Sequence, residues 1–206
     1  MVAKKYRKPS EEVDSVGLRI IGGKFRGRKL AYAGDRRVRP MKDRVREATF
    51  NLIHRYVPGS YVLDLFGGTG ALGLEAISRG AIGCTFTEQH FPTARIIQQN
   101  ITTLGVEAQT QLWVGDVFLT YQKEPDLPVA HPWLVFCSPP YRFFKERTET
   151  LCQLLARLYF RAPAGSVFVA ESDTTFDWHA FDDLGPWEIR TYPPAVLGIH
   201  RKEETP

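Results

Sequence analysis

From residue 61 onward the apolar positions come in short runs at 61–66, 83–87, 109–114, 133–137 and 167–171. Each run is too short for a buried helix and is bounded by Gly, Pro or charged residues, so each reads as a strand. Between them, residues 71–79, 92–104 and about 145–161 place apolar side chains at helical spacing. Strands that alternate with helices predict a mainly parallel sheet covered on both faces. Two further β segments, 187–190 and 195–201, follow with no helix between them. They predict an antiparallel pair closing one edge of a seven-stranded sheet.

The first 58 residues follow a different pattern. Residues 1–16 are polar and charged and read as a disordered basic tail. Leu18-Arg19-Ile20-Ile21, the Gly22-Gly23 break and the basic stretch 24–30 predict a small strand-turn-strand unit. A turn at 33–35 follows, and Arg39-Pro40 is expected to be extended. Asp43 then stands as an N-cap for a helix with an apolar face of Val45, Ala48, Phe50, Leu52, Ile53 and Tyr56, stopped by Pro58-Gly59. The chain thus divides into a tail (1–16), a hairpin-and-helix extension (17–58) and a main domain (59–206).

Charge sharpens that division. Residues 1–55 hold 16 Lys and Arg against 6 Asp and Glu, whereas the remainder holds 11 against 17. A basic arm on an acidic body suits a polyanionic partner met at one end of the molecule. Three scattered cysteines argue against a disulfide framework, and the five histidines lack ligand spacing, so no metal is expected. No apolar run approaches the roughly 20 residues that span a bilayer. No secretory signal opens the chain, so a cytoplasmic protein is expected. No long apolar surface demands a partner, so a monomer is expected too.

The most informative stretch is Asp64-Leu65-Phe66-Gly67-Gly68-Thr69-Gly70-Ala71-Leu72-Gly73. A strand enters a glycine turn that opens a helix, the place where open α/β sheets bind ligands. Gly68, Gly70 and Gly73 also fit a dinucleotide fingerprint, which keeps a nicotinamide enzyme as a distant alternative. Asp64, Glu88 and Asp116, however, fall at the ends of three successive strands. Three carboxylates are a poor cradle for a diphosphate but suit an amine, a ribose and an adenine, the parts of S-adenosylmethionine. The candidate cofactor residues are Asp64, Phe66, Gly67, Gly68, Gly70, Leu72, Glu88, Gln89, Asp116 and Val117.

The fourth strand ends in Ser138-Pro139-Pro140-Tyr141. The prolines stiffen the backbone and remove two N–H donors, leaving carbonyls as acceptors. The aromatic ring can stack on a base, flipped out or single-stranded. An exocyclic base amine is a weak nucleophile because its lone pair is delocalised. Acceptors on its hydrogens, here the Ser138 hydroxyl and the Pro139 carbonyl, draw the nitrogen toward tetrahedral geometry. The four residues are the candidate catalytic set.

These motifs lie beside others at 18–23, 26–30, 43–47, 70–76 and 78–81, and with them residues 18–202 resemble the RsmD-like family of bacterial ribosomal RNA guanine-N2 methyltransferases. The resemblance implies a class I S-adenosylmethionine-dependent methyltransferase fold of Rossmann-like α/β type. It implies a guanine of small-subunit ribosomal RNA, or of the assembling small subunit, as substrate. It also makes Arg19, Lys24, Arg26, Arg28, Arg39, Arg44 and Arg46 the candidate RNA contacts. The family carries Asp or Asn where this chain has Ser138, a neutral and shorter acceptor. Ser-Pro-Pro-Tyr is similar to the motif of DNA cytosine-N4 methyltransferases, so another base amine stays open. A non-catalytic RNA-binding protein that keeps the fold is the alternative of a different class.

Overall fold

The structure, a computed structural model, describes residues 17–32 and 40–203. The tail at 1–16, the turn at 33–35 and Arg39 lie outside the described residues.

A seven-stranded sheet organises the main domain, in the order β3-β2-β1-β4-β5-β7-β6. Its strands are β1 (Tyr61–Asp64), β2 (Gly83–Glu88), β3 (Thr110–Val114), β4 (Trp133–Cys137), β5 (Val167–Asp173), β6 (Glu188–Tyr192) and β7 (Ala195–Arg201). Strands β1 to β5 are mutually parallel, and β7 runs antiparallel to both β5 and β6. The strand order reverses between β1 and β4, which opens a crevice beyond their carboxyl ends.

Alternation along each strand supplies two cores. On β4, Leu134 and Phe136 face one side while Trp133, Val135 and Cys137 face the other. Val167 and Val169 of β5 join the first set, and Phe168 and Ala170 the second. Helices α1 (Asp43–Leu52), α2 (Ala71–Ser78) and α3 (Phe91–Leu104) cover the first face. Helices α4 (Val117–Gln122), α5 (Phe143–Glu146) and α6 (Thr148–Arg161) cover the second. The helix expected over about 145–161 is two helices, and α4, only six residues long, has no counterpart in the apolar pattern.

The N-terminal extension departs from its expected hairpin. Its two arms meet in a single antiparallel bridge, Arg19 with Lys29, around a short 3₁₀ turn at Gly23–Phe25. The reason is that α2 captures the backbone donors a longer ladder would use. Buried Glu75 accepts from Ile21 N and Gly22 N, both at 2.7 Å. Ser78 Oγ accepts from Phe25 N at 2.9 Å and donates to the Gly22 carbonyl at 2.6 Å. Gly23 sits at φ +73°, and a Cβ there would run into the Ser78 carbonyl, so only glycine permits the approach. Leu18, Ile20 and Leu30 enter the same core as Val62 and Leu74. The extension and the sheet are thus packed around one apolar interior.

Helix α1 begins differently from expectation as well. Lys42, not Asp43, occupies the N-cap position. The Asp43 carboxylate turns instead to Arg46 Nη2 at 2.9 Å.

Candidate active site

A cleft of about 680 Å³ lies over the crevice at the ends of β1 and β4, within the size range of small-molecule sites. Residues following β1, β2, β3 and β4 converge on it, because a parallel sheet points all their ends the same way. Glu88, at the end of β2, accepts from Gly68 N at 3.0 Å and His90 N at 2.8 Å, so one carboxylate pins both sides of the entrance. Asp116 caps α4 by accepting from Phe118 N at 2.8 Å. Phe66, Phe118 and Phe143 form one wall, their ring centroids 6.2–6.3 Å apart. The Arg147 guanidinium stacks over two of these rings, outside the lining.

Phe66, Gly67, Gly68, Leu72, Glu88, Gln89, Asp116 and Val117 all line the cleft, as do Ser138, Pro139, Pro140 and Tyr141. The two groups proposed for cofactor and catalysis therefore share one cavity. Gly70 stands behind them as the left-handed N-cap of α2. Gly73 packs α2 on β2 so closely that a Cβ would strike Phe86 and Cys84.

Asp64 requires a correction. It was expected to face the ligand, but it is buried below the glycine turn and absent from the lining. Its Oδ2 accepts from Gly73 N at 3.1 Å. Burial pushes its carboxyl up to about 7, against the opposing pull of the Gly73 N–H; the neighbouring Glu88 adds to the rise. Its role is to fix the turn. Pro140 lines the cleft, and its carbonyl accepts from Phe143 N at 2.8 Å and so helps start α5. Pro139 remains the carbonyl candidate.

Arg46 also departs from expectation. Expected at the RNA surface, it is fully buried. Its guanidinium donates to the carbonyls of Arg19 at 2.7 Å and Met41 at 3.1 Å and lies 3.8 Å from Glu75. It ties α1 to the arm and to α2. Arg19, Lys24, Arg26, Arg28 and Arg44 are exposed as expected. Arg28 also reaches the Thr103 carbonyl at 2.7 Å, which holds the arm against the end of α3.

Several lining residues escaped the sequence reading. Pro40, Met41, Lys42 and Val45 bring the extension to the mouth of the cleft, Pro194 comes from the β6–β7 turn and Ala195 from the start of β7. The most consequential is Glu171, near the end of β5. Its carboxylate accepts from Ser138 Oγ at 2.5 Å and from the Tyr141 hydroxyl at 2.9 Å.

The donor set discriminates between ligands. Two carboxylates at the strand ends, an apolar wall and a narrow glycine turn would repel a diphosphate and accommodate an adenosine with an amino-bearing tail. Fold and cleft together define the class I S-adenosylmethionine-dependent methyltransferase fold.

Comparison with known proteins agrees. The family model described as Conserved hypothetical protein 95 matches residues 18–192. The Haemophilus influenzae ribosomal RNA small subunit methyltransferase D is 33% identical over 166 residues, covering 81% of this chain and 83% of that protein. A solved Escherichia coli protein named as a methyltransferase superposes with a TM-score of 0.70 at 26% identity, covering 91% of this chain and 99% of the other. An RNA methyltransferase from Salinibacter ruber, solved in complex with S-adenosyl-L-homocysteine, shares the fold at 15% identity with a TM-score of 0.59. It covers 81% of this chain and 95% of the other. The chain belongs to the Conserved hypothetical protein 95 family, which is the RsmD-like family its motifs resemble.

Proposed function

We propose that the protein transfers a methyl group from S-adenosylmethionine to the exocyclic N2 amine of a guanine in small-subunit ribosomal RNA. The observation that carries this reading is the shared cavity: the Ser138–Tyr141 loop opens onto the same cleft as Glu88 and Asp116. The ribosomal RNA substrate follows from the methyltransferase D relatives.

Each end of the cleft has a task. Glu88 would accept the ribose hydroxyls and Asp116 the adenine amino group, with Phe66, Val117 and Phe118 excluding water around the ring. Bound S-adenosylmethionine supplies an electrophilic methyl group on a sulfonium. Ser138 Oγ and the Pro139 carbonyl accept the hydrogens of the base amine, and Tyr141 and Pro140 hold the base in place. Orientation of the nitrogen supplies much of the rate.

Arg19, Lys24, Arg26, Arg28 and Arg44, and Arg39 beyond the described residues, would contact RNA phosphates and make binding strongly salt-dependent. Among the described residues no helix is long and apolar enough to cross a membrane.

The test is transfer of label from radioactive S-adenosylmethionine to small ribosomal subunits lacking the modification and, in parallel, to unmethylated DNA, followed by nuclease digestion and base mapping. Label on guanine N2 is expected. Label confined to cytosine in DNA, or cofactor binding with no transfer to any nucleic acid, overturns the reading.

A further inference from the structure

A serine hydroxyl beside a reacting amine raises a chemical difficulty. As the nitrogen takes up a methyl group it becomes cationic and must lose a proton. A lone hydroxyl is a weak acceptor for one. The structure places a carboxylate directly behind that hydroxyl. Residues 137 and 170 are in register on adjacent parallel strands, so Ser138, just past the end of β4, and Glu171, still within β5, lie at the same level. Glu171 is only 7% exposed yet lines the cleft. Its Oε2 accepts the Ser138 hydroxyl hydrogen at 2.5 Å. Its Oε1 takes the Tyr141 hydroxyl hydrogen at 2.9 Å.

This arrangement fixes the polarity of the catalytic loop. A serine hydroxyl has one hydrogen to donate and two lone pairs to accept with. With the hydrogen committed to Glu171, Ser138 meets substrate as an acceptor. The bond to a carboxylate also makes its oxygen more basic. Such an oxygen selects a group that carries N–H hydrogens over a carbonyl, which has none to give.

We propose that Glu171 is the positioning residue of this site: acting through Ser138, it orients the hydroxyl as an acceptor for the base amine and takes up the proton released on methylation. This rests on the base-amine reading above. In the step, the N–CH₃ bond forms as the S–CH₃ bond breaks, with the electron pair remaining on sulfur. One amine proton passes to Ser138 Oγ while the Ser138 proton passes to Glu171. The products are the neutral methylamine, the thioether and a protonated Glu171, which returns its proton to solvent.

The experiment is a double-mutant comparison of single-turnover methyl transfer to small-subunit ribosomal RNA, with S-adenosylhomocysteine affinity measured by calorimetry on every variant. Glu171→Gln should slow transfer by about 100-fold or more, in the range of proton-transfer catalysis. It should leave cofactor-product affinity within about twofold, an order-of-magnitude expectation for a group that acts at the amine. In a Ser138→Asp background the carboxylate meets the amine directly. There Glu171→Gln should cost less than about threefold, since its target is gone. Should Glu171→Gln not fold, Glu171→Asp gives the same comparison by withdrawing the carboxylate one methylene. Transfer at the wild-type rate in Glu171→Gln, or an equal loss in both backgrounds, overturns the proposal. Absence of transfer by the wild-type protein overturns the functional reading instead.

Discussion

Replacing Asp64 by Asn should change how stability depends on pH while leaving the fold intact. The Asp64 carboxyl is pushed from 3.8 up to about 7. Between those values the folded protein holds a proton that the unfolded chain has released. Stability is therefore fully present below about pH 4, falls as pH rises through the window and levels off above about pH 7. Each unit of difference is worth about 1.4 kcal/mol, so moving from pH 5 to pH 8 should cost the wild type about 2–3 kcal/mol through this one group. Asn carries no charge, and its side-chain oxygen can accept from Gly73 N as Asp64 does. The variant should thus gain on the wild type by about 2–3 kcal/mol between the two pH values. Urea unfolding followed by tryptophan fluorescence reads this directly. With a slope of about 1–3 kcal/mol/M, the relative midpoint should move by roughly 1 M. The same difference between variant and wild type at both pH values would refute the reasoning, because it would mean that Asp64 is ionised in the folded state throughout.

Three further expectations follow from Glu75, the arm and the loop. Glu75→Gln removes the charge that buried Arg46 and half-buried Arg79 face and should cost about 3–5 kcal/mol in urea unfolding; limited proteolysis should then cut first between residues 17 and 32, and an unchanged digestion pattern would count against Glu75 holding the arm. Arg19→Glu with Arg44→Glu should weaken RNA binding and flatten its salt dependence by about one unit of slope or more per lost phosphate contact, with S-adenosylhomocysteine affinity preserved in calorimetry; an equal loss of both would place this surface in the cofactor site. Ser138→Ala should lower the single-turnover rate far more than cofactor affinity, and an undiminished rate would leave the Pro139 carbonyl as a sufficient acceptor.

The sheet was legible because its signal is local. Short β-branched and aromatic runs separated by helical periods give β1 to β5, and the terminal pair gives β6 and β7. The hairpin was not, because residues far along the chain decide its fate: Glu75 and Ser78 take the donors that would otherwise pair. The resemblance carries Arg46 over with the other basic residues of the extension, but it lies on the buried face of α1. Val45, Thr49 and Phe50 share its buried stripe, and that spacing was visible in the sequence. Asp64 was correctly put at a strand end, but burial depth is a tertiary quantity. Glu171 was missed although the clue existed. Like the carboxylates at the ends of β1, β2 and β3, Glu171 lies toward the carboxyl end of a parallel strand, β5. What no periodicity could give is the register that sets Glu171 level with Ser138.

Apart from the core side chains of Leu18, Ile20 and Leu30 and the Arg28 contact to Thr103, the arm is gripped by its main chain. Glu75 holds two peptide N–H groups, Ser78 an N–H and a carbonyl, and Asn100 both the N–H and the carbonyl of Ala31 while also reaching the carbonyl of Thr69 in the glycine turn. Such a mount is indifferent to most side chains it carries. Random substitution of the exposed positions 24, 26 and 29 can therefore leave the molecule intact while rewriting what its surface attracts. The docking residues on α2 and α3 are distinct from the exposed positions of the arm, so this end of the protein can take on a new polyanion preference without disturbing the chemistry beneath it.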